Sequence, residues 1–403
     1  MAGLSASLTV GRRDFVARSI GMLTLAGTPW PAVADASPAP RLVIVTLDGG
    51  ADGLALLPAY GDTCYRRARG PLAVESAALL RHGMDLDGFF ALHPALAPLF
   101  PMYRRGEFLA LPAVGIGSPT PSHAEARRQF GAWRGTSQGE GSGWLRRSLA
   151  LHEGGRTLIL NLSRGEIPLL LRGQQPVKIV SPVWPTGPAD GLADGIADLH
   201  RGDIIFAASL ARLGVGAATS GGFVEDRQRR RNAVFKAMMG SAGRASADAQ
   251  GPMVALISLG GWDTHARQGS LYGRLSLAMS GLADGLSALE AACGEAWRST
   301  VVLVGTEFGR AVAPNREGGT DHGAAAAAFL IGGAVAGGRV LGRWPGLGAD
   351  QLTRDGTLAP TTDLRAVLKA VLVDHLGLPR DEVENDVFPE SADIPPLQDL
   401  FRI

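Results

Sequence analysis

Six short, uninterrupted apolar segments recur along the chain, separated by stretches with the spacing of amphipathic helices. Strands buried on both faces of a parallel sheet are continuously apolar, and their alternation with helices is typical of a doubly wound fold. We therefore predict a three-layer α/β/α sandwich with a mainly parallel sheet, formed by residues 37–403 as one domain with loop insertions around residues 166–222. The predicted strands are residues 42–47, 108–114, 157–162, 254–259, 301–305 and 326–331; the predicted helices are residues 95–105, 122–130, 143–152, 269–297 and 363–376.

The composition excludes some classes of function. The 403 residues include 39 Lys and Arg against 38 Asp and Glu, a formal net charge of +1. A chain this close to neutral is not a generally basic nucleic-acid binder, so we expect no nucleic-acid partner. Cys64 and Cys293 form neither a CxxC pair nor a disulfide framework. Any bound metal would therefore need His and carboxylate ligands.

The first 36 residues predict an export signal. Arg12 and Arg13 precede Phe15 and a modest apolar stretch, and cleavage is expected after Ala34 or Ala36. This start is typical of a twin-arginine signal, the alternative being an ordinary signal with chance arginines. We expect the twin-arginine export machinery as a partner and the periplasm as the location. The apolar stretch is shorter than the roughly 20 residues of a membrane-spanning helix, so no stable membrane anchor is expected.

Acidic and histidine residues follow or precede several predicted strands, at the edge where ligands bind in open α/β sheets. Each turn alone also has a structural interpretation, because Asp is common in Gly-rich turns. Together they favour a site for one or two divalent cations, Zn, Mn, Mg or Ca, that clamps an oxyanion. The residues are Asp48 and Asp52 after the first strand, Asp263 and His265 after the fourth, Glu307 after the fifth, and Asp321 and His322 before the sixth.

Ser122 and His123 begin a predicted helix after the second strand. A serine in this place is either an N-cap or a nucleophile whose oxyanion is stabilised by helix amides and a metal, and both interpretations stay open. Residues 135–139 match G-x-S-x-G, but no apolar strand precedes them, so we interpret them as a loop. The sequence contains no phosphate loop and no dinucleotide fingerprint after the first strand, which disfavours nucleotide-dependent chemistry.

Several of these segments together resemble the domain of unknown function 1501 family. That family is placed in the alkaline phosphatase and sulfatase superfamily, whose members bind one or two divalent metals and hydrolyse or transfer phosphate or sulfate esters. The resemblance implies an alkaline-phosphatase-like fold and a small-molecule or polymer ester as substrate. It covers nearly the whole mature chain and rests on the paired arginines, GGADGL at 49–54, LHPAL at 92–96, SH at 122–123, GWDTH at 261–265, TEFGR at 306–310, GGTDHG at 318–323 and WPGL at 344–347.

The resemblance also implies roles for single residues. Ser122 looks like the nucleophile, and His123 and Arg310 would contact the oxyanion, because an arginine offers a planar fork to phosphate or sulfate oxygens. The remaining assignments are Asp263, His265 and His322 for the first metal, Asp48 or Asp52 as the strand-end aspartate, and Glu307 at the start of the second metal's pair.

The sequence departs from the superfamily pattern at Phe308, which stands where a histidine of the second metal is expected. An aromatic ring offers no nitrogen ligand, so the second site would be weak or completed by Asp52 or Asp321. Ala124 and Glu125 stand where the family usually has an aromatic residue and an Asp. This second departure concerns the substrate pocket rather than the fold.

Three functions remain on this basis. The leading hypothesis is a periplasmic metal-dependent hydrolase of phosphate or sulfate esters with a serine nucleophile. The alternative, which Phe308 motivates, is a degenerate, non-catalytic relative that serves as a binding or assembly protein in the cell envelope. A metal-free serine hydrolase ranks last, because the carboxylate-rich turns would then have no use.

Overall fold

A computed structural model describes residues 39–116, 122–133, 142–152, 158–163, 167–175, 177–181 and 220–402. The predicted signal at residues 1–36, the loop at residues 135–139 and most of the predicted insertion at residues 166–222 lie outside the described residues.

The described chain alternates strands and helices. The strands are β1 (Arg41–Asp48), β2 (Phe108–Gly115), β3 (Leu158–Asn161), β4 (Lys178–Val180), β5 (Val254–Gly260), β6 (Thr300–Gly305), β7 (Gly309–Arg310), β8 (His322–Gly323), β9 (Ala326–Ile331), β10 (Arg339–Val340) and β11 (Thr362–Asp363). The α-helices are α1 (Gly53–Leu56), α2 (Tyr65–Arg69), α3 (Ser76–Arg81), α4 (Phe100–Arg104), α5 (His123–Ala132), α6 (Trp144–Ala150), α7 (Ser220–Ala247), α8 (Arg274–Cys293), α9 (Leu364–Ala370) and α10 (Arg380–Glu382). No described helix is both long enough and apolar enough to cross a membrane.

A nine-stranded sheet runs in the order β10-β2-β9-β6-β1-β5-β3-β4, with β11 also paired to β2. Every pairing in it is parallel except those of β9, which lies antiparallel to β2 and β6. In the central register Asp48 pairs with Gly260, and Thr46 pairs with Gly305. The turns after β1, β5 and β6 therefore leave the sheet at the same edge.

Helices cover both faces of the sheet. Val43 and Val45 of β1 belong to one buried cluster with side chains of α7 and α8, whereas Leu42 and Ile44 belong to a second cluster with side chains of α6 and α9. Each fully buried Val, Leu or Ile contributes roughly 1.5–3 kcal/mol to folding. This arrangement confirms the predicted α/β/α sandwich with a mainly parallel sheet.

All six predicted strands are present, but three predicted helices have different ends. Residues 94–99 form a 3-10 helix before α4, since Pro98 offers no amide hydrogen to a longer helix. Helix α8 begins only at Arg274, because Gly269 and Gly273 have φ angles of 77° and 132°, outside the helical range. The helix predicted to end at residue 376 becomes a π-helix after α9.

Strand β2 carries a bulge near its carboxyl end. Its register against β9 shifts between Leu111 and Val114, where Pro112 has no amide hydrogen for the ladder and buried Ala113 has a φ of 50°. Bulges bend a strand and redirect the chain beyond them. Strand β2 ends on the same side as the site turns, and Ser122 is where the described chain resumes after it.

Candidate metal centre

Three imidazoles and one carboxylate meet at the carboxyl edge of the sheet. Asp263 Oδ1 lies 3.2 Å from His265 Nε2 and 3.9 Å from His322 Nε2, and these two Nε2 atoms are 3.0 Å apart. His123 Nε2 lies 3.8 Å from Asp263 Oδ2. One ligand atom from each of His123, Asp263 and His322 lies within 4.8 Å of the others. The structure thus brings together the three residues predicted for the first metal and adds His123.

This donor set fits a divalent cation. Around a tetrahedral ion with bonds of about 2.0–2.1 Å, two nitrogen or oxygen ligand atoms lie about 3.3 Å apart. The distances between the ligand atoms of Asp263, His265 and His322 scatter around that value. The side chains of Asp263 and His265 are 49% and 43% exposed. A cation held here would therefore keep an open side for water or a substrate.

Two further carboxylates hold the histidine rings. Glu307 Oε1 lies 3.1 Å from His123 Nδ1, and Asp321 Oδ1 lies 3.3 Å from His265 Nδ1. An ionised carboxylate only accepts, so each ring donates its Nδ1 hydrogen and presents the Nε2 lone pair to the centre. Glu307 and Asp321 were predicted as ligands; the structure places them behind the rings of His123 and His265, which they orient.

Glu307 is held from several sides in a site only 4% exposed. The Gly49 amide donates to its Oε1 at 2.8 Å, and the Thr306 hydroxyl donates to its Oε2 at 3.2 Å. Burial by itself would raise the pKa of Glu307, but the hydrogen bonds from His123 and from backbone amides, with the charge of Arg127, hold that pKa below its usual range. Glu307 is therefore a fixed anion beneath His123.

Gly49 allows two turns to meet closely at this point. Its φ is 122°, and a Cβ there would lie 2.5 Å from the Asp263 backbone nitrogen. Only glycine combines this conformation with so close an approach. The turn after β1 therefore lies against the residue that places a carboxylate in the centre.

Arg310 was predicted to contact the oxyanion, but its guanidinium points into the protein and not toward the open side of the centre. Its side chain is fully buried, and the guanidinium donates to the carbonyl oxygens of Gly49, Gly50 (2.7 Å) and Thr320 (2.9 Å), and to Asp263 Oδ1 at 2.5 Å. Burial would raise the pKa of Asp263, but the hydrogen bond and charge of Arg310, together with His265 and His123, hold that pKa below the usual range. Arg310 thus joins the turns that carry the ligands.

Asp52 also has contacts that favour a structural role over the predicted role as a ligand. Only 1% exposed, it accepts from the Ala55 amide at the start of α1. Its Oδ2 accepts from Arg69 at 2.6 Å and from Gln268 Nε2 at 2.7 Å. Gln268 Oε1 in turn accepts from the hydroxyls of Thr264 and Thr320. A buried polar network therefore underlies the turns at 264 and 320.

Asp48 is the strand-end carboxylate beside Glu307. Burial, followed by the negative charge of Glu307, raises the pKa of Asp48 to about 6, although Arg127 and hydrogen bonds with Thr46 and Ser258 act in the opposite direction. Two neighbouring carboxylates favour a shared proton or a cation between them. Between the two alternatives for the strand-end aspartate, these surroundings favour Asp48 over Asp52.

Ser122 has the geometry of an N-cap. Its backbone is extended, and its hydroxyl accepts from the Glu125 amide at 3.4 Å at the start of α5. The side chain is exposed, and the next residue is His123 of the centre. This contact agrees with the cap interpretation, and the nucleophile stays a prediction.

Phe308 forms an apolar wall of the centre. It is 4% exposed, and its ring centroid lies 4.8 Å from that of His123 and 4.4 Å from that of His322. A Cβ at Gly50 would lie 2.2 Å from the Phe308 ring, so the turn after β1 packs against it. Phe308 therefore shapes the centre but cannot ligate a metal, because its ring has no nitrogen.

Three residues around the centre were not predicted from the sequence: Arg69, Arg127 and Gln268. Arg127 lies four residues after His123, a spacing that places both on one side of a helix and that was available as a signal. Nothing in the sequence pairs Asp52 with Arg69 or Gln268, which lie 17 and 216 positions away. His93, by contrast, has a structural role: it is buried and accepts from the Ala95 amide.

Comparisons with known proteins find a matching family profile and several similar solved structures. The profile of the family described as "Protein of unknown function (DUF1501)" matches residues 226–385, less than half of the chain, and spans Asp263, His265, Arg310 and His322. No curated protein matches the sequence. Among solved structures, the PsFucS1 sulfatase from Pseudoalteromonas sp. is 13% identical with a TM-score of 0.43, covering 89% of this chain and 71% of that one. The phosphonate monoester hydrolase of Agrobacterium radiobacter is 10% identical with a TM-score of 0.36, covering 84% and 74%.

Proposed function

We propose that the protein is an exported, periplasmic, metal-dependent hydrolase of phosphate or sulfate esters. The observation that carries this proposal is the convergence of His123, Asp263, His265 and His322 around one point at the carboxyl edge of the sheet. Imidazoles and a carboxylate at these separations, with outer carboxylates behind two of the rings, suit a divalent cation better than a purely structural hydrogen-bond cluster.

The chain's own residues have distinct parts in this reaction. Asp263, His265 and His322 hold the cation, and Glu307 fixes the ring of His123 beside them. When bound, the cation would lower the pKa of a hydroxyl and neutralise charge on the ester. Ser122, at the N-terminus of α5, attacks the phosphorus or sulfur through Oγ and displaces the alcohol. Water then cleaves the serine ester, which releases phosphate or sulfate and restores the hydroxyl.

The first experiment measures metal and turnover together. The exported protein is refilled with Zn, Mn, Mg or Ca in turn, its metal content is determined by elemental mass spectrometry, and aryl phosphates and aryl sulfates are assayed. We expect about one equivalent of metal, because Phe308 leaves the second set short of a ligand. His322→Ala should lose most of the metal and the turnover, whereas His82→Ala, an exposed residue outside the centre, should keep both.

Folded protein that holds none of the four metals would contradict the metallohydrolase proposal. A second candidate function is that of a binding or assembly protein of the cell envelope. It is favoured by the positions where ligands of the second metal were predicted, since two of them offer no free ligand. Phe308 fills the place of a ligand, and Asp52 is engaged in its buried ion pair. That candidate predicts no metal-dependent turnover of either ester, whether or not metal is bound, so the same samples distinguish the two functions.

A further inference from the structure

A hydrolase of phosphate or sulfate esters needs a side chain that receives the negative oxygens of its substrate. The sequence offered two candidates, His123 and Arg310. His123 presents an Nε2 lone pair to the centre. Arg310 is buried, and its guanidinium is engaged with carbonyl oxygens and Asp263. Its donors are therefore directed into the protein rather than toward solvent. The substrate's oxygens need a different cation.

Arg127 has the position that Arg310 lacks. It lies four residues after His123 on α5, so the two side chains leave the same side of the helix. Its Nε lies 3.7 Å from Glu307 Oε1, the oxygen that holds His123, and its side chain is 55% exposed. None of the described residues accepts a hydrogen bond from its guanidinium. Arg127 therefore reaches the edge of the metal centre with donors that face solvent.

The charges around Arg127 explain why a cation is needed there. Asp48 and Glu307 are neighbouring carboxylates, and Arg127 Nε lies 3.7 Å from Glu307 Oε1. Without the charge of Arg127, an anionic ester approaching the cation would be repelled more strongly by these two carboxylates. A guanidinium also offers paired N–H donors that match two oxygens of a tetrahedral anion.

We propose that Arg127 binds the non-bridging oxygens of the phosphate or sulfate group and so determines affinity for anionic esters. This assignment rests on the proposed function. Arg127 contacts the substrate rather than the metal, because its partner in the centre is the outer carboxylate Glu307 and not a ligating atom. Metal binding is therefore expected to survive its replacement.

The neighbouring arginine provides a matched control. Arg128 lies on the same helix and is 51% exposed, but its guanidinium donates to both oxygens of Glu125 at 2.8 and 2.6 Å. Arg127→Ala and Arg128→Ala remove the same charge from the same helix at similar exposure. Only the first removes a cation that adjoins Glu307. Arg127→Lys keeps the charge and removes the planar fork.

The test measures binding of inorganic phosphate and inorganic sulfate to the metal-loaded protein by isothermal titration calorimetry, with metal content determined on every sample. We expect Arg127→Ala to weaken binding of the preferred anion at least tenfold with unchanged metal content, and to raise KM for the aryl ester more than it lowers kcat. Arg127→Lys should lie between Arg127→Ala and the unchanged protein. Arg128→Ala should bind the anion within about twofold of the unchanged protein.

Three results would overturn the assignment, and they are distinguishable. If the unchanged protein hydrolyses an ester and Arg127→Ala binds the anion equally well, the hydrolase proposal stands and another group receives the oxygens. If the unchanged protein binds metal but neither anion and hydrolyses no ester, the proposed function and the role of Arg127 both fail. Equal losses in Arg127→Ala and Arg128→Ala would also reject a specific site, because general surface charge would then account for binding.

Discussion

At the scale of single residues, one ion pair beneath the metal centre is buried at high electrostatic cost. Asp52 and Arg69 are almost completely removed from solvent, and Arg69 also donates to the carbonyl oxygens of Ala311 and Val312. A buried ion pair offsets its desolvation only in part when a donor stays unsatisfied, and Arg69 Nε has no hydrogen-bond partner among the described residues. Gln268 supplies the further contact that Asp52 needs. The pair and its surroundings therefore act as one unit.

Asp52→Asn should lower the free energy of unfolding by about 3–5 kcal/mol, because Arg69 would keep a buried charge without its partner. Metal content should stay at its original value, since Asp52 supports the turns and does not ligate. Denaturant unfolding of the metal-free protein and elemental analysis measure the two quantities. Asp355→Asn, an exposed change, should shift stability by no more than about 0.5 kcal/mol. A loss of metal with little loss of stability would instead identify Asp52 as a ligand.

Among the elements, helix α5 connects the fold to the chemistry. It begins at the N-cap Ser122, carries His123 in its first turn and carries Arg127 one turn later. The proposed roles of Ser122, His123 and Arg127 therefore all depend on how firmly this ten-residue helix is held in place. Its burial of Ala126 and Phe130 against the second core cluster fixes that placement.

Two substitutions at Ser122 separate its cap role from its predicted role as nucleophile. Ser122→Ala removes the cap and should lower the free energy of unfolding by about 1 kcal/mol, whereas Ser122→Asn keeps a capping oxygen and should leave stability nearly unchanged. Both variants lack the hydroxyl, so both should lose turnover of the aryl ester. Thermal unfolding and initial rates measure the two effects. Turnover that persists in Ser122→Asn would show that Ser122 is only a cap.

Strands and helices could be predicted wherever the pattern of apolar residues along the sequence determines them. Continuous apolar runs such as residues 301–305 identify buried strands, and parallel strands bring their carboxyl ends to one edge, which is why Asp263 and His265 could be grouped with the other site turns. The contacts of Asp52 and Arg310 were not predictable in this way. Turns that are distant in the sequence decide whether such charges face solvent or protein: Arg310 donates to the carbonyl oxygen of a residue 260 positions away.

At the scale of the whole molecule, the edge of the sheet opposite the metal centre is closed by the C-terminal region. His375, in the π-helix after α9, donates from Nε2 to the carbonyl oxygen of Arg41 at 3.0 Å, at the start of β1. Its ring also stacks on Phe401. Burial lowers the pKa of His375, although the hydrogen bond to Arg41 acts in the opposite direction. The folded protein therefore takes up a proton at this ring less readily than the unfolded chain does.

Stability should consequently fall as the pH falls below about 6.5, the ordinary pKa of a histidine. In that range the unfolded chain takes up a proton at His375 that the folded protein does not, so the free energy of unfolding decreases. Buried His93, whose pKa is also lowered by burial, contributes in the same direction. His375→Gln, whose amide can still donate to Arg41, should lessen this acid sensitivity.

Denaturant unfolding at about pH 7.5 and about pH 5.5 measures the effect. His82→Gln, at an exposed position, should keep the full decrease. An equal decrease in His375→Gln and in the unchanged protein would show that the buried ring does not contribute.

The bonds that Arg310 makes between the site turns have a consequence for how such a site changes over evolutionary time. They join the turns through main-chain oxygens of Gly49, Gly50 and Thr320, which every amino-acid sequence supplies. Because these three bonds reach main-chain oxygens, they do not depend on which ligating side chains project from the turns. Descendants of this chain can exchange one ligating residue for another, and so select a different ion, without having to invent a new arrangement of loops.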